Sequence, residues 1–193
     1  MDSTETRQKN CTYSYELDSS DRIVNCSDSW DDFATENGGH HLTFEKIKGQ
    51  SVWDHITDDR TIELYRRIFA SARSGIPVQF FLRCDSPSVR RLLNVSVSPT
   101  IDGNVRTTTM LFRADPRPPV ETLSCRDLDP DHGGCYSLCT WCNKLEDGGW
   151  VEVEEVVKRR QVEGLFPSPP VREGICEPCY DRIDLQIREA SRT

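Results

Sequence analysis

The 193-residue chain has no apolar run near the length of a membrane span. A transmembrane helix needs about 20 consecutive apolar residues, whereas 36% of this chain is hydrophobic and 29% is charged. The first ten residues are polar and lack the apolar segment of a secretory signal. We therefore expect a cytoplasmic protein without a membrane association, long enough for one ordinary domain and a smaller one.

The chain also has fewer positively than negatively charged residues. The chain has 24 Lys and Arg against 32 Asp and Glu, a net charge of −8. Nucleic-acid phosphates are bound mainly by Lys and Arg, so this balance makes nucleic acid an unlikely partner for the chain as a whole. A local basic patch is still compatible with the composition.

Motifs of the common enzyme classes are missing as well. The sequence contains no nucleophile elbow, phosphate loop or informatively spaced acid/base pair. Glu152, Glu154 and Glu155 lie close together, but we interpret them as solvent-facing residues of one helix. The chain is therefore expected to be non-enzymatic, with no catalytic residues.

Cysteine, in contrast, is abundant, with nine in the chain. A disulfide scaffold is typical of short secreted proteins, so metal or redox chemistry is favoured here. Cys139 and Cys142 form one C-x-x-C pair, and Cys176 and Cys179 form a second one after 33 intervening residues. Each spacing lets one tight turn direct two sulfurs at the same ion, and zinc favours four such ligands. The pattern predicts a structural zinc site, because four protein ligands leave no position for a substrate.

Other interpretations of these cysteines remain open: a pair of disulfides or redox centres, or unrelated free thiols. Cys135 lies four positions before Cys139, and His132 lies three before that. Either could replace a sulfur or join a redox-sensitive set, but an ordinary linker thiol and imidazole are the favoured interpretation. Lys144 and the turn amides are the expected partners of the net negative charge at the site.

Hydrophobic periodicity predicts an α+β domain before the cysteine pairs. Two short strands around a polar turn precede a short helix that begins near Trp30. A longer helix opens at Asp58 or Asp59, where apolar residues begin to recur at spacings of three and four, and ends at Gly75. Residues 78–83, 91–97 and 105–113 then predict three antiparallel strands with one buried face.

This order of elements resembles the PAS fold, a five-stranded antiparallel sheet with helices packed over one face. The resemblance covers residues 13–116 and is sharpest at residues 80–91, which are similar to the aromatic-Arg-Cys-Asp-Ser-Pro…Arg-Arg strand pair of a bacterial PAS subfamily.

The cysteine pairs resemble a zinc-binding module found at the ends of bacterial PAS-containing and two-component signalling proteins. Lys144, Trp150 and Gly174 match positions of that pattern. Ser-His often precedes this glycine, whereas Arg172-Glu173 precedes it here, so no role of that histidine is carried over.

Together these features divide the chain into four parts. They are a polar segment (1–12), a PAS-like domain (13–118), a linker (119–134) and a small zinc-ribbon-like module with a C-terminal helix (135–193). Tyr180, Ile183 and Ile187 lie on one face of that helix and are expected to pack on Trp150 and Val156.

The resemblance implies a sensory or signalling protein, with another signalling protein or a second copy of the chain as its partner. A nucleic-acid-binding zinc module is one alternative, but residues 135–193 carry eight basic against eleven acidic residues. A thiol-based redox sensor is another, in which oxidation of Cys135 and the zinc thiolates would release the metal.

Candidate ligand residues also occur in the first domain. A PAS core can hold haem, flavin, a metabolite or nothing, and the sequence supports neither haem nor flavin. The Asn-Cys-Arg motif of flavin photoreceptors is absent, and His55 is a weak candidate for a haem ligand, as is the pair His40-His41.

A cluster of charged residues brackets a predicted hairpin. Arg83, Asp85, Arg90 and Arg91 are interpreted either as exposed pairs that contribute less than about 1 kcal/mol, or as a binding site for an anionic ligand or partner.

Overall fold

The computed structural model describes residues 12–86, 88–117, 136–162 and 171–192. The predicted linker at residues 119–134, with His132, lies outside these ranges, and so does Cys135. We call residues 12–117 the sheet unit and residues 136–192 the cysteine unit.

The sheet unit contains a five-stranded antiparallel sheet. Its strands are β1 (Thr12–Leu17), β2 (Ile23–Cys26), β3 (Val78–Arg83), β4 (Val89–Pro99) and β5 (Val105–Pro116). They lie side by side in the order β2-β1-β5-β4-β3, so the first and last strands of the unit pair at the centre. The predicted antiparallel strands are confirmed, and the arrangement fits a PAS-like fold.

Helices fill the connection between β2 and β3. They are α1 (Trp30–Glu36), α2 (Phe44–Ile47), a 3₁₀ turn (Val52–His55) and α3 (Asp59–Arg73). The N-terminus of α3 is capped by Asp58, whose carboxylate accepts a hydrogen bond from the amide of Thr61 at 2.8 Å. Leu64, Ile68 and Phe69 of this helix are fully buried and pack in one core with Val95 and Val97 of the sheet.

The opposite face of the sheet is open. Phe81 and Phe112 are 42% and 60% exposed there, with ring centroids 5.0 Å apart, and Met110 of β5 is also exposed.

The cysteine unit contains a smaller, mixed sheet and two helices. Its elements are β6 (Tyr136–Cys139), β7 (Lys144–Glu146), β8 (Trp150–Glu152), α4 (Val153–Val162), β9 (Val171–Gly174) and α5 (Glu177–Ala190). The order is β8-β7-β6-β9, in which β6 and β9 run parallel. The parallel pairing of β6 with β9 brings the two cysteine turns together, because one cysteine turn lies at the end of each of these strands.

The hydrophobic core crosses from one unit to the other. Ile183 and Ile187 of α5 belong to the same buried cluster as Ile68 and Phe80 of the sheet unit. The prediction that this helix packs on Val156 is wrong, because Val156 lies in a separate cluster with Leu145, whereas Trp150 does pack against the larger core. The α5 helix packs against α3, and its Asp184 is paired with Arg67 of α3.

Candidate metal centre

The first pair of cysteines lies in a tight turn after β6. Cys139 ends the strand, and its carbonyl accepts a hydrogen bond from the amide of Asn143 at 2.8 Å. Asn143 has a φ of +54°, a left-handed conformation that asparagine tolerates better than most residues. The turn therefore closes within four residues and returns the chain into β7 with Cys142 on the same side as Cys139.

The second pair lies at the start of α5. Cys176 precedes the helix in an extended conformation, and the amide of Cys179 donates to its carbonyl at 3.1 Å. Pro178 lies in the first turn, where its missing amide hydrogen costs no helical bond. The two cysteines therefore lie at the first turn of α5, toward which the positive end of the helix dipole points.

The four sulfurs form a compact cluster. The Sγ atoms of Cys139, Cys142, Cys176 and Cys179 all lie within 4.8 Å of one another, and those of Cys142 and Cys176 are 3.9 Å apart. Zinc–sulfur bonds of about 2.3 Å in a tetrahedron place neighbouring sulfurs about 3.8 Å apart. None of the four is in a disulfide. The spacing fits a tetrahedral metal ion.

The cluster is enclosed by protein. Cys139, Cys176 and Cys179 are at most 5% exposed, and Cys142 is half-buried. The predicted amide contacts are present: the backbone amides of Cys142 and Cys176 donate to the Sγ of Cys139 at 3.5 and 3.4 Å. Such donors stabilise negative charge on the sulfur.

The cation in contact with the cluster is Arg182 and not the predicted Lys144. Lys144 lies 3.8 Å from a carboxylate oxygen of Glu152, whereas the guanidinium of Arg182 donates to the Sγ of Cys179 at 3.8 Å. Arg182 lies one helical turn after Cys179, a spacing that could have indicated the contact from the sequence.

Hydrogen bonds within the cluster separate the acidities of its thiols. Cys142 and Cys179 donate to the Sγ of Cys139, which holds the pKa of Cys139 well below its usual value. Because Cys142 is a donor in that contact, its own pKa is raised to about 12. The cluster thus holds one thiolate readily, and a metal ion must displace the remaining protons when it binds.

The turn between the first two cysteines is anchored on the sheet unit. Trp141 is 3% exposed, and its carbonyl accepts a hydrogen bond from the amide of Arg83 at the end of β3 at 2.9 Å. Its indole stacks on Tyr65 with centroids 5.5 Å apart and meets Phe80 edge-on at 5.1 Å. The cysteine cluster is therefore built against the main core.

The predicted charged hairpin is a second point of contact between the units. Asp85 has no exposed side-chain surface and is paired with Arg83, which also binds Glu152 at 2.8 Å. The prediction of an exposed pair is therefore wrong for Arg83 and Asp85. Arg90 binds Glu154 at 2.8 Å, and Glu154 also binds Arg117 at 3.0 Å.

Sequence reasoning missed three members of this network. Arg117, Glu152 and Glu154 lie far from the hairpin in sequence, and two of them were predicted to face solvent. Glu152 ends β8 and Glu154 lies in the first turn of α4; of the three glutamates only Glu155 is exposed. Arg91 lies outside the ion pairs and donates to the carbonyl of Cys84 at 2.8 Å and to Asn37 at 3.2 Å.

A cavity of about 400 Å³ lies between the helices and the sheet of the sheet unit. Much of its wall is apolar, with Ile23, Trp30 and Val52 among the lining residues. The cysteine unit contributes Thr140, Glu173 and Gly174 to the wall. The volume falls in the range of roughly 300 to 1,000 Å³ that is typical of small-molecule sites.

The histidines that were considered as ligands differ in position. His55 ends the 3₁₀ turn and lines this cavity, with part of its surface exposed. His40 and His41 are exposed in the loop after α1.

Comparison with known proteins leaves the family of the chain open: no family model matches it, and no curated protein matches it either. Among the described helices, none is long and apolar enough to cross a membrane.

Proposed function

We propose that the chain is a non-enzymatic sensory or signalling protein with a PAS-type sheet unit and a structural zinc ion bound by Cys139, Cys142, Cys176 and Cys179. The observation that carries the proposal is the placement of these four sulfurs within 4.8 Å of one another, inside the core that also supports the cavity-bearing unit. A metal bound there would hold the two units in one arrangement.

The donor set argues for zinc and for a structural role. Four sulfurs favour zinc among the abundant divalent ions, and a tetrahedral site filled by protein has no open position for substrate or activated water. The amides of Cys142 and Cys176 and the guanidinium of Arg182 offset the charge of the thiolates. Catalysis by this centre is therefore not part of the proposal.

The sensory part rests on the cavity and on the strand order. The sheet order β2-β1-β5-β4-β3 and the helices before β3 agree with the PAS pattern that residues 80–91 suggested. A ligand held in the cavity, or a partner protein bound by the unit, would be the signal. The receiver of the signal would be another signalling protein or a second copy of this chain.

Metal analysis and X-ray absorption test the zinc part. Protein produced without added metal should carry one zinc per chain, with four sulfur neighbours at about 2.3 Å. Cys139→Ser should remove the zinc, whereas Cys84→Ser, a cysteine outside the cluster, should retain it. A site with oxygen or nitrogen neighbours, or protein that binds no zinc, would contradict the proposal.

A thermal-shift screen tests the sensory part. A panel of small metabolites is added to the zinc-loaded protein, and a true ligand should raise the melting temperature by binding only the folded state. Val52→Phe, which adds volume to the cavity wall, should abolish the shift. Turnover of a metabolite by the wild-type protein would argue against a non-enzymatic role.

A further inference from the structure

The cavity and the cysteine cluster share a wall. Thr140 lies between Cys139 and Cys142 in sequence and lines the cavity, as does Gly174, two residues before Cys176. The amide of Thr140 donates to the carbonyl of Gly174 at 2.9 Å, and its hydroxyl donates to the same carbonyl at 3.2 Å. The two cysteine turns thus meet at the surface that a cavity ligand would touch.

A second contact links the same turn to the cavity. Trp141 stacks on Tyr65, and Tyr65 itself lines the cavity. Tyr65 is partly buried, and desolvation of its phenol raises its pKa above the usual value. The ring therefore stays neutral, with one face of the phenol toward the cysteine turn and part of its surface toward the cavity.

The charged groups that line the cavity are carboxylates, and His55 is the one basic side chain among the described lining residues. Asp58 and Glu173 contribute carboxylates, and none of the described residues that line the cavity is a lysine or an arginine. The start of α3 could attract an anion, but Asp58 already occupies it by accepting from both the amide and the hydroxyl of Thr61, at 2.8 and 2.6 Å. An anionic ligand would meet carboxylates in a mainly apolar chamber.

Asp58 also touches the shared wall. A Cβ added at Gly174 would lie 3.2 Å from a carboxylate oxygen of Asp58, so this glycine allows β9 to approach the start of α3 closely. A displacement of β9 would therefore move the cavity wall and also the backbone that leads into Cys176.

We propose that this cavity binds an apolar small molecule without negative charge, and that ligand and metal binding strengthen each other through the wall formed by Thr140 and Gly174. The inference rests on the proposed function, since it assigns a ligand class and a regulation to the same cavity and metal centre. By linkage, a ligand that binds more tightly to the metal-loaded protein must also raise the affinity of the protein for the metal by the same factor.

The charge preference is tested with two indoles of similar size and opposite charge. Calorimetric titration of the zinc-loaded full chain should show tryptamine binding, with indole-3-propionate weaker by about tenfold or more. Val52→Phe should abolish tryptamine binding, whereas Ile101→Phe, at a fully exposed turn, should retain it. Equal affinity for the two indoles, or binding of neither, would overturn the ligand assignment.

The coupling is tested by equilibrium competition for zinc between the protein and a chelator of known affinity. Saturating tryptamine should raise the zinc affinity of the protein several-fold, within the range of roughly 5- to 150-fold that is typical of site–site coupling. The effect should disappear in Val52→Phe, and this loss would exclude direct binding of the amine to the metal as its cause. If tryptamine binds but leaves the zinc affinity unchanged, the coupling is wrong.

A second variant guards against misfolding of Val52→Phe. Ile56→Phe also narrows the cavity, and each variant must carry the wild-type amount of zinc before it is compared. The proposed function fails if the protein holds no zinc. The present inference fails when zinc is bound and tryptamine has no effect on the wild-type protein.

Discussion

The indole of Trp141 stacks on the phenol ring of Tyr65, with ring centroids 5.5 Å apart and an angle of 25° between the planes. Trp141 lies between two cysteines of the cluster, and Tyr65 lies on α3 of the sheet unit. The turn that would hold the metal is thus part of the core of the larger unit.

Removal of this ring should destabilise the whole protein. We expect Trp141→Ala to lower the free energy of unfolding by about 3 to 5 kcal/mol, because a buried aromatic side chain leaves a cavity against Tyr65 and Phe80. Urea unfolding followed by circular dichroism measures the change. Leu185→Ala, at a position of α5 that is 56% exposed, should change it by less than about 0.5 kcal/mol. Similar values for the two variants would contradict the shared core.

Loss of the metal should destabilise the sheet unit as well as the cysteine unit. We expect Cys139→Ser to lower stability by more than about 4 kcal/mol and to speed amide exchange in α3 and β3, since the cluster packs in the same core. Hydrogen exchange with mass spectrometry locates the effect, and Cys84→Ser is the control with an intact cluster. Exchange that rises only in residues 136–192 would instead indicate an independent module.

The buried carboxylate of Asp85 should make stability depend on pH. Burial by itself raises the pKa of Asp85, but hydrogen bonds from Arg83 and Asn143 outweigh it and hold the pKa below its usual value of 3.8. Because the pKa of Asp85 is lower in the folded state than in the unfolded state, its ionisation stabilises the protein at pH values above the unfolded-state pKa. This stabilisation is lost as the pH falls through the folded-state pKa. Asp85→Asn should therefore cost about 3 to 5 kcal/mol at pH 7.

The loss of stability caused by Asp85→Asn should shrink as the pH is lowered from 7 toward about 2. The measurement is the difference in unfolding free energy between wild type and Asp85→Asn at each pH. Both proteins keep the same four cysteines, so acid release of the metal affects them alike. A difference that stays constant over this range would show that Asp85 is not ionised in the folded protein.

Two neighbouring glutamates on α4 offer a matched comparison. Glu154 accepts hydrogen bonds from Arg90 and Arg117, whereas Glu155 is exposed. Glu154→Gln should lower the free energy of unfolding by about 1 to 3 kcal/mol, since it weakens charged hydrogen bonds between the two units. Glu155→Gln should change it by less than about 0.5 kcal/mol. Equal effects would mean that the ion pairs contribute nothing beyond surface charge.

Much of the fold could be predicted from local patterns. The spacing of apolar residues between Asp59 and Arg73 predicted α3, and the alternation along β4 predicted an antiparallel strand with one buried face. Both signals depend on the period of a single element, which the sequence of that element carries. The C-x-x-C spacings predicted the four-sulfur cluster for the same reason, because each turn places its own two sulfurs.

The environment of these elements could not be predicted in this way. Glu154 and Glu155 are adjacent in an acidic run, yet only the packing of α4 against the sheet unit decides that Glu154 meets Arg90 and Arg117. Asp85 likewise has the sequence context of an exposed turn, but Arg117 and the cysteine unit cover it. Burial of a charge depends on residues that are distant in sequence, which no local pattern records.

The sequence alone determined the main helices and strands of the sheet unit, the α+β class and the identity of the four clustered cysteines, because these follow from residue spacing and turn chemistry. Only the tertiary structure decided that the two cysteine turns form part of the wall of a cavity in the other unit. That relationship arises from the parallel pairing of β6 with β9 and from the packing of Trp141 on Tyr65. Both are contacts between segments that lie tens of residues apart, and their geometry is fixed only when the apolar faces of the two units are buried together.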